Sequence, residues 1–479
     1  MFTFFQRSEV GAVDVAIVGM GYVGVTTAAT LAHIGHRVYG VDIDDRRIEQ
    51  LARGKAPFYE PHLDELIALN KSRMHFTTDY SEVIPRAEVV FIAVGTPSAP
   101  DGRPDLRYVE AAAREIGRNL NVDRFTLVIN KSTVPIGSGN WVEAHIRRSF
   151  SEVHGEAKGR FAVASNPEFL REGSAVYDSL YPDRIVVGAD EPRAREILRE
   201  LYAPLVAQDF PPPEDVPRPA HVNTIPYVET DTATAELVKY AANAFLALKI
   251  SFINEIAALA EKVGADIRDV AQGIGLDRRI GPSFLQAGVG WGGSCFPKDT
   301  AAILATGEEY GLRMPIVAAA REVNFAQRRK VVEKLLGELK IVKGKTIGLL
   351  GLSFKPNTDD LRDAPAYDIA RELLERGAFV RAYDPVAIPR AQREWDLNVD
   401  YRKSVLDVAR GADALVLVTE WKEFTELDWS AIARAMRTPV LIDGRNALPG
   451  KVVQEAGLRY VGFGVPSHSP VFEKVAEFR

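Results

Sequence analysis

The stretch VDVAIVGMGYVG, residues 13–24, limits what this chain can fold into more than any other. A run of apolar, mostly β-branched residues ends at Gly19, and Gly21 and Gly24 complete the spacing G-x-G-x-x-G around Tyr22 and Val23. A strand apolar on both faces suits the interior of a parallel sheet covered on both sides. The glycines have separate tasks: Gly19 permits a tight turn, Gly21 lets a pyrophosphate approach the backbone, and Gly24 lets the next helix pack closely on the strand. The Ala-rich stretch up to about Gly35 reads as that helix, its positive N-terminal end facing an anion. Asp42 follows at the end of a second strand, RVYGVDID. A carboxylate there accepts hydrogen bonds from ribose hydroxyls and repels a 2′-phosphate, which favours NAD over NADP; Arg47 nearby pulls the other way. The competing reading is a Rossmann-like turn that holds another nucleotide or none.

Two further strands, AEVVFIAVGTP and FTLVINKSTVP, run into polar loops. Ligands of open α/β sheets sit at the carboxyl ends of the strands, so Thr96, Pro97, Ser132 and Thr133 are candidates for the same crevice; ordinary turn chemistry is the alternative. The Pro-rich segment FPPPEDVPRPAHVNTIPY, residues 210–227, cannot be regular helix and reads as a surface loop or insertion. After it, residues 231–263 carry helical periodicity, with Thr230 or Asp231 as cap and Gly264 as stop. Such a helix spans roughly 45–50 Å, enough to connect domains and offer a dimerisation face. Strands recur at TIGLLGL, AFVRAYDP, ADALVLVTE and TPVLIDGRNAL. The expectation is an α/β protein: an N-terminal Rossmann NAD-binding domain over residues 1–210, a Pro-rich insertion over 211–228, a central helical region with a long connecting helix over 229–330, and a C-terminal Rossmann-like α/β domain over 331–479.

A net charge of −6 over 479 residues argues against nucleic acid as the main partner. No uninterrupted apolar stretch approaches a membrane span, and MFTFFQRSEVGAVD makes a poor signal peptide. A soluble cytoplasmic protein is expected, bound neither to nucleic acid nor to membrane. The single cysteine, Cys295, excludes an intrachain disulfide and a multi-cysteine metal site, and no metal is expected.

Cys295 stands in GVGWGGSCFPKDT, among glycines and charges rather than in an apolar run. A nucleophilic cysteine needs thiolate character and access. Gly290, Gly292 and Gly293 suggest close approach of a ligand to the backbone, Lys298 a charge favouring the thiolate, and Asp299 a group to orient water. An inert small hydrophobe is the rival reading, and the dinucleotide motif tilts the balance towards catalysis. Nicotinamide and thiolate are useful together when an aldehyde is oxidised to an acid, through a thiohemiacetal and a thioester that water hydrolyses.

These motifs, together with SNPEFLREGSA, AELVKYAANAFLALKISFINE, DRRIGPSFLQAGVGWGGSCFPKD and GLSFKPNTDDLRDAP, resemble the UDP-glucose/GDP-mannose dehydrogenase family, and its bacterial UDP-glucose branch most closely. The match runs in the family's order over nearly the whole chain. The resemblance implies an NAD-binding domain, a central helical dimerisation region and a C-terminal UDP-binding domain, in a homodimer or higher homo-oligomer. It implies oxidation of the C6 alcohol of UDP-glucose to a carboxylate with two NAD and one water. On that resemblance Cys295 is the nucleophile, Lys239 stabilises oxyanions or moves the C6 proton, and Asn243 shares its helix face. Asp299 orients water or assists as a base, Glu168 is the base for thioester hydrolysis, and Thr133 positions water. Phe169, Leu170 and Glu172 belong to a substrate loop, Glu172 also beside the cofactor. Arg279, Phe284, Leu285, Gly292, Phe354, Lys355 and Arg445 belong to the sugar-nucleotide pocket, with Arg279 acting across a dimer interface. Lys298 and Arg362 contact the cofactor. The chain departs from the family in its N-terminal extension, its Pro-rich insertion and Trp291, where the family often has Tyr or Phe. Rival substrates are GDP-mannose and UDP-N-acetylmannosamine. A catalytically inactive NAD-binding regulatory protein, or a simple hydroxyacid dehydrogenase, would leave the cysteine loop without a role.

Overall fold

The structure, a computed structural model, describes residues 11–97, 99, 102–156 and 159–466; most of the N-terminal extension lies outside them. The chain divides into two compact units, residues 1–242 with 301–311, and residues 243–300 with 312–479.

The first unit is built on an eight-stranded sheet in the order β3-β2-β1-β4-β5-β6-β7-β8. Its strands are β1 (Asp14–Val18), β2 (Arg37–Val41), β3 (Met74–Thr77), β4 (Val89–Ile92), β5 (Thr126–Asn130), β6 (Phe161–Ser165), β7 (Ile185–Gly188) and β8 (Tyr227–Thr230). All neighbours pair in parallel except β6 with β7. Along β1, Val15 and Ile17 join one apolar cluster, and Ala16 and Val18 join another. That two-residue alternation shows a sheet covered on both faces, as its unbroken apolar sequence implies. Helix α1 (Tyr22–His33) contributes Val25, Ala28 and Leu31 to the first cluster; α2 (Ser138–His154) contributes Val142 and Ile146 to the second. The Pro-rich segment is more than surface: Val216 and Ile225 enter the first cluster, and Tyr227 opens β8.

The second unit holds a six-stranded, wholly parallel sheet in the order β11-β10-β9-β12-β13-β14. Its strands are β9 (Thr346–Leu350), β10 (Phe379–Tyr383), β11 (Val399–Tyr401), β12 (Ala414–Leu417), β13 (Val440–Asp443) and β14 (Arg459–Val461). This is the order of the first six strands of the other sheet.

Three further helices are α3 (Thr232–Val263), which carries Lys239 and Asn243, α4 (Phe296–Glu309), which carries Lys298 and Asp299, and α5 (Pro315–Leu339). Asp231 caps α3, its carboxylate accepting the Thr234 N–H at 2.8 Å, and Gly264 ends it with φ of 74°. By length and composition α3 could cross a membrane. Yet Lys239, Asn243, Ser251 and Asn254 are spread along it, and all are buried within the protein.

Candidate active site

In the first unit, Gly19 turns the chain with φ of 98°, and its N–H donates to the Val41 carbonyl at 2.7 Å. A Cβ on Gly24 would lie 1.8 Å from the Gly19 carbonyl oxygen, so only glycine lets α1 start this close to the strand. A Cβ on Gly21 would meet nothing within 4 Å. No side chain caps α1 at Gly21, so its first N–H groups face outward with the helix dipole behind them. This cradle fits a dinucleotide pyrophosphate. Asp42 is buried and already employed: it accepts the Met20 N–H at 2.6 Å and the Asp44 N–H at 3.0 Å, and pairs with Arg47 at 2.8 Å. It therefore shapes the glycine loop, and Arg47 is drawn to it. Ser132 ties the two later loops together, its hydroxyl donating to the carbonyls of Val94 at 2.8 Å and Ile92 at 3.2 Å. Thr96 is buried beside Pro97, whose carbonyl accepts the Asp105 N–H at 2.7 Å.

The same unit brings Glu168 and Lys239 together, both buried. The Lys239 ammonium donates to the Glu168 carboxylate at 2.9 Å and to its backbone carbonyl at 2.5 Å, and the carboxylate also accepts the Leu170 N–H at 2.8 Å. Burial opposes ionisation of Glu168. The Lys239 charge and hydrogen bond, the Leu170 N–H and the Lys131 charge outweigh it and hold the carboxyl below its usual range. Lys131 donates to Asn166 at 2.8 Å, and burial presses its ammonium down to about 8. Thr133, Glu168 and Lys239 line one small cavity of about 10 Å³, near the room one water needs. Glu168, Phe169 and Leu170 also border a cavity of about 320 Å³ that reaches His221 and Thr224 of the Pro-rich segment. The Arg184 guanidinium lies 3.8 Å over the Phe169 ring, and Glu172 sits beyond it in the same loop.

In the second unit, Cys295 is half-buried at the start of α4. Its carbonyl accepts the Asp299 N–H at 2.8 Å, so its side chain stands where the helix dipole favours negative charge. Asp299 is wholly buried, accepts the Asn243 amide at 2.6 Å and pairs with Lys298 at 3.1 Å. Asn243, Lys298, Asp299 and Cys295 thus form one group, and Ser294 lies 3.5 Å from the sulfur.

The glycines around Cys295 are closely packed. A Cβ on Gly292 would lie 2.3 Å from the Asp363 carbonyl oxygen, one on Gly293 2.7 Å from the Phe354 ring, and one on Gly290 2.4 Å from the Asn324 side chain. The protein's own atoms lie where these Cβ atoms would be, so the glycines let the loop pack. The Leu285 side chain is buried in a core cluster with Ile253 and Ile267. Trp291 is buried, its indole donating to Ser251 at 3.2 Å. Phe284 is held at φ of 66°, which is rare for a bulky side chain, with its ring 6.2 Å from Phe296. Arg445 gathers three carbonyls, Val418 at 2.7 Å, Gly290 at 2.9 Å and Phe354 at 3.2 Å, and so braces the cysteine loop. The Lys355 ammonium lies 5.3 Å over the Phe354 ring. Arg362 pairs with Asp360 at 2.7 Å, and its carbonyl accepts the Gly293 N–H at 2.9 Å. Arg279 projects outward, paired with Asp277 at 2.5 Å.

Sequence reasoning missed Glu60, Glu236 and Asp384. Asp384 accepts the Leu352 N–H at 2.7 Å, the counterpart of Asp42 and Met20 in the other unit. Its signal was present: AYDP ends β10 as VDID ends β2.

Comparison with known proteins agrees with these features. Residues 13–206 match the NAD binding domain of the UDP-glucose/GDP-mannose dehydrogenase family, residues 233–326 its central domain, and residues 348–450 its UDP binding domain. The chain is 45% identical over 461 residues to UDP-glucose 6-dehydrogenase of Rhizobium meliloti (strain 1021), covering 94% of this chain and 99% of that one. It is 43% identical over 457 residues to UDP-glucose 6-dehydrogenase TuaD of Bacillus subtilis (strain 168), covering 95% and 93%. The solved structure of a UDP-glucose dehydrogenase from the hyperthermophilic archaeon Pyrobaculum islandicum superposes with a TM-score of 0.85 at 40% identity, covering 96% of this chain and 100% of that one.

Proposed function

The chain belongs to the UDP-glucose/GDP-mannose dehydrogenase family, and we propose that it oxidises the C6 alcohol of UDP-glucose twice, to UDP-glucuronate. The observation that carries this reading is Cys295 at the head of α4, one turn from a buried Asp299 held by Asn243, in a chain that also folds an NAD-binding cradle. NAD, held by the glycine loop and Asp42, supplies the hydride acceptor for both oxidations.

The chain's own groups do the rest. In the first step the alcohol loses its C6 hydride and passes its hydroxyl proton to solvent water, giving an aldehyde. The Cys295 thiolate then adds to the aldehyde carbon, forming a C–S bond and an oxyanion that the Lys239 ammonium stabilises. Loss of a second hydride leaves a thioester on Cys295. Water attacks the thioester carbon and gives one proton to Glu168 or Asp299; the C–S bond breaks with the sulfur leaving as thiolate, and the carboxylic acid so formed loses the second proton to solvent. Glu168 takes that proton only when the substrate draws Lys239 away, because the ammonium now occupies its carboxylate and lowers its affinity for a proton. Thr133, beside Glu168 and Lys239, positions the water. Phe354, Lys355, Phe284 and Arg445 supply the sugar-nucleotide pocket, Arg445 chiefly by holding its loops.

A second copy of the chain completes the assembly. Phe245, Phe252 and Leu259 recur every seven residues along α3, and all three are exposed in the single chain. A seven-residue apolar stripe suits a helix–helix contact. A working thiol as the one cysteine suits the reducing cytoplasm.

The test is the NADH formed per UDP-glucose consumed by the purified protein with NAD in excess. Two NADH per sugar nucleotide is expected. One NADH would remove the thioester step and the role given to Cys295. None would move the substrate to GDP-mannose or an N-acetylated sugar nucleotide.

A further inference from the structure

We propose that Glu60 is a positioning residue that couples the dinucleotide loop to the substrate loop, so that cofactor and sugar nucleotide bind cooperatively. The inference rests on the function proposed above. Glu60 lies in FYEP, residues 58–61, a segment with no part in the chemistry. Its carboxylate is 6% exposed and accepts from two distant places at once. One oxygen takes the Tyr22 hydroxyl at 2.5 Å and the Gly173 N–H at 2.6 Å, and the other takes the Ala175 N–H at 2.7 Å.

The partners belong to different ligand sites. Tyr22 is the first residue of α1, directly after Gly21, where the pyrophosphate is expected. Gly173 and Ala175 follow directly on Glu172 in FLREGSA, the substrate loop. The Tyr22 ring is held against Phe58 with centroids 4.9 Å apart, which fixes the phenol over the carboxylate. Burial and the Glu60 charge hold that phenol far above its ordinary range, so it stays a proton donor. Hydrogen bonds to an ionised acceptor are the strong kind. Displacing either loop leaves a buried donor without its acceptor, which is unfavourable. A ligand that fixes one loop therefore favours the fixed form of the other, and the effect is reciprocal.

The experiment measures NADH affinity by its fluorescence, with and without saturating UDP-glucose. The pair is unreactive because NADH accepts no hydride. Wild-type protein is expected to bind NADH at least about fivefold more tightly with UDP-glucose present, the lower end of ordinary allosteric coupling. In Glu60→Gln the ratio falls to near one, although the variant's thermal unfolding is cooperative. Tyr22→Phe, which removes only the phenol link, lowers the ratio as well and serves if Glu60→Gln fails to fold. A residue that merely holds the fold would shift the melting temperature and leave the ratio alone. A ratio near one in the wild type, or an unchanged ratio in the folded variants, overturns the proposal. Calorimetric titration of UDP-glucose into the NADH-saturated protein separates the two readings: no binding there overturns the substrate assignment, whereas binding there together with a wild-type ratio near one overturns the coupling alone.

Discussion

Asp299 has its carboxylate placed for it twice over, by the Asn243 amide and by the Lys298 ammonium, and the helix turn that starts at Cys295 sets its distance from the sulfur. Such a site depends on the sulfur itself. Cys295→Ser keeps the size and the helix start but replaces a thiolate by a hydroxyl that hardly ionises near neutrality. Turnover of UDP-glucose is expected to fall by about 10³-fold or more, with NAD affinity and melting temperature kept, read by stopped-flow absorbance and calorimetry. Full steady-state activity in this variant would remove Cys295 from the chemistry. Asp42→Ala is expected to raise the Michaelis constant for NAD by about tenfold or more, because the Met20 N–H loses its acceptor along with the ribose contact. An unchanged constant for NAD would take Asp42 out of the cofactor site. What was legible at this scale was what neighbours in sequence build: the glycine loop, and the spacing of Cys295 and Asp299. Glu60 was not legible, because its partner Ala175 lies 115 residues away and a lone glutamate carries no local pattern. The packing of the cysteine-loop glycines was not legible for the same reason, since Asp363 and Phe354 close on them from distant parts of the sequence.

At the level of elements, the two sheets start with the same device. Gly19 and Gly351 turn with φ of 98° and 91°, each donating its N–H to the end of the neighbouring strand, Val41 at 2.7 Å and Tyr383 at 2.8 Å. Asp42 and Asp384 then each accept a loop N–H just beyond. The central strands were legible from their unbroken apolar runs. The strands β3, β7, β8, β11 and β14, of three or four residues, and the five-residue β6 were not, since stretches such as Met74–Thr77 and Phe161–Ser165 lack a long apolar run around them. Helix α3 was legible nearly to the residue, because Asp231 and Gly264 punctuate it. Its Glu236 is less expected. The carboxyl is buried at the start of α2, where it accepts the Gly137 N–H at 2.5 Å, and burial raises it from 4.5 to about 7. A carboxyl raised on folding binds its proton more readily in the native state. Its stabilising share is complete below about 4.5 and is lost as pH rises through about 7. Glu236→Gln removes that loss, so its melting temperature relative to wild type is expected to rise between about pH 5 and about pH 8. A constant difference across that window in calorimetry would show that Glu236 titrates as it does in the unfolded chain.

For the whole molecule, the proposed pairing of two copies rests on the apolar stripe of α3. Phe245, Phe252 and Leu259 expose 62%, 48% and 58% of their surface in one line, the kind of apolar patch that suits a contact with a second copy. Each side chain buried against a second copy contributes about 1.5–3 kcal/mol, and the symmetry of a dimer counts every residue twice. Phe252, the middle of the three, is the place to break it. Phe252→Glu puts two carboxylates at such a contact and leaves the interior of each unit unchanged, because this side chain takes no part in the cores. Light scattering is expected to show wild type as a dimer or larger and the variant as a monomer with the same far-ultraviolet circular dichroism. If Arg279 acts across that interface, turnover of the monomer falls with its mass, and it recovers at protein concentrations that restore the dimer. A variant that keeps the wild-type mass would place the contact between copies elsewhere. One that becomes a monomer with full turnover would leave each chain a complete enzyme and Arg279, paired with Asp277, outside the site.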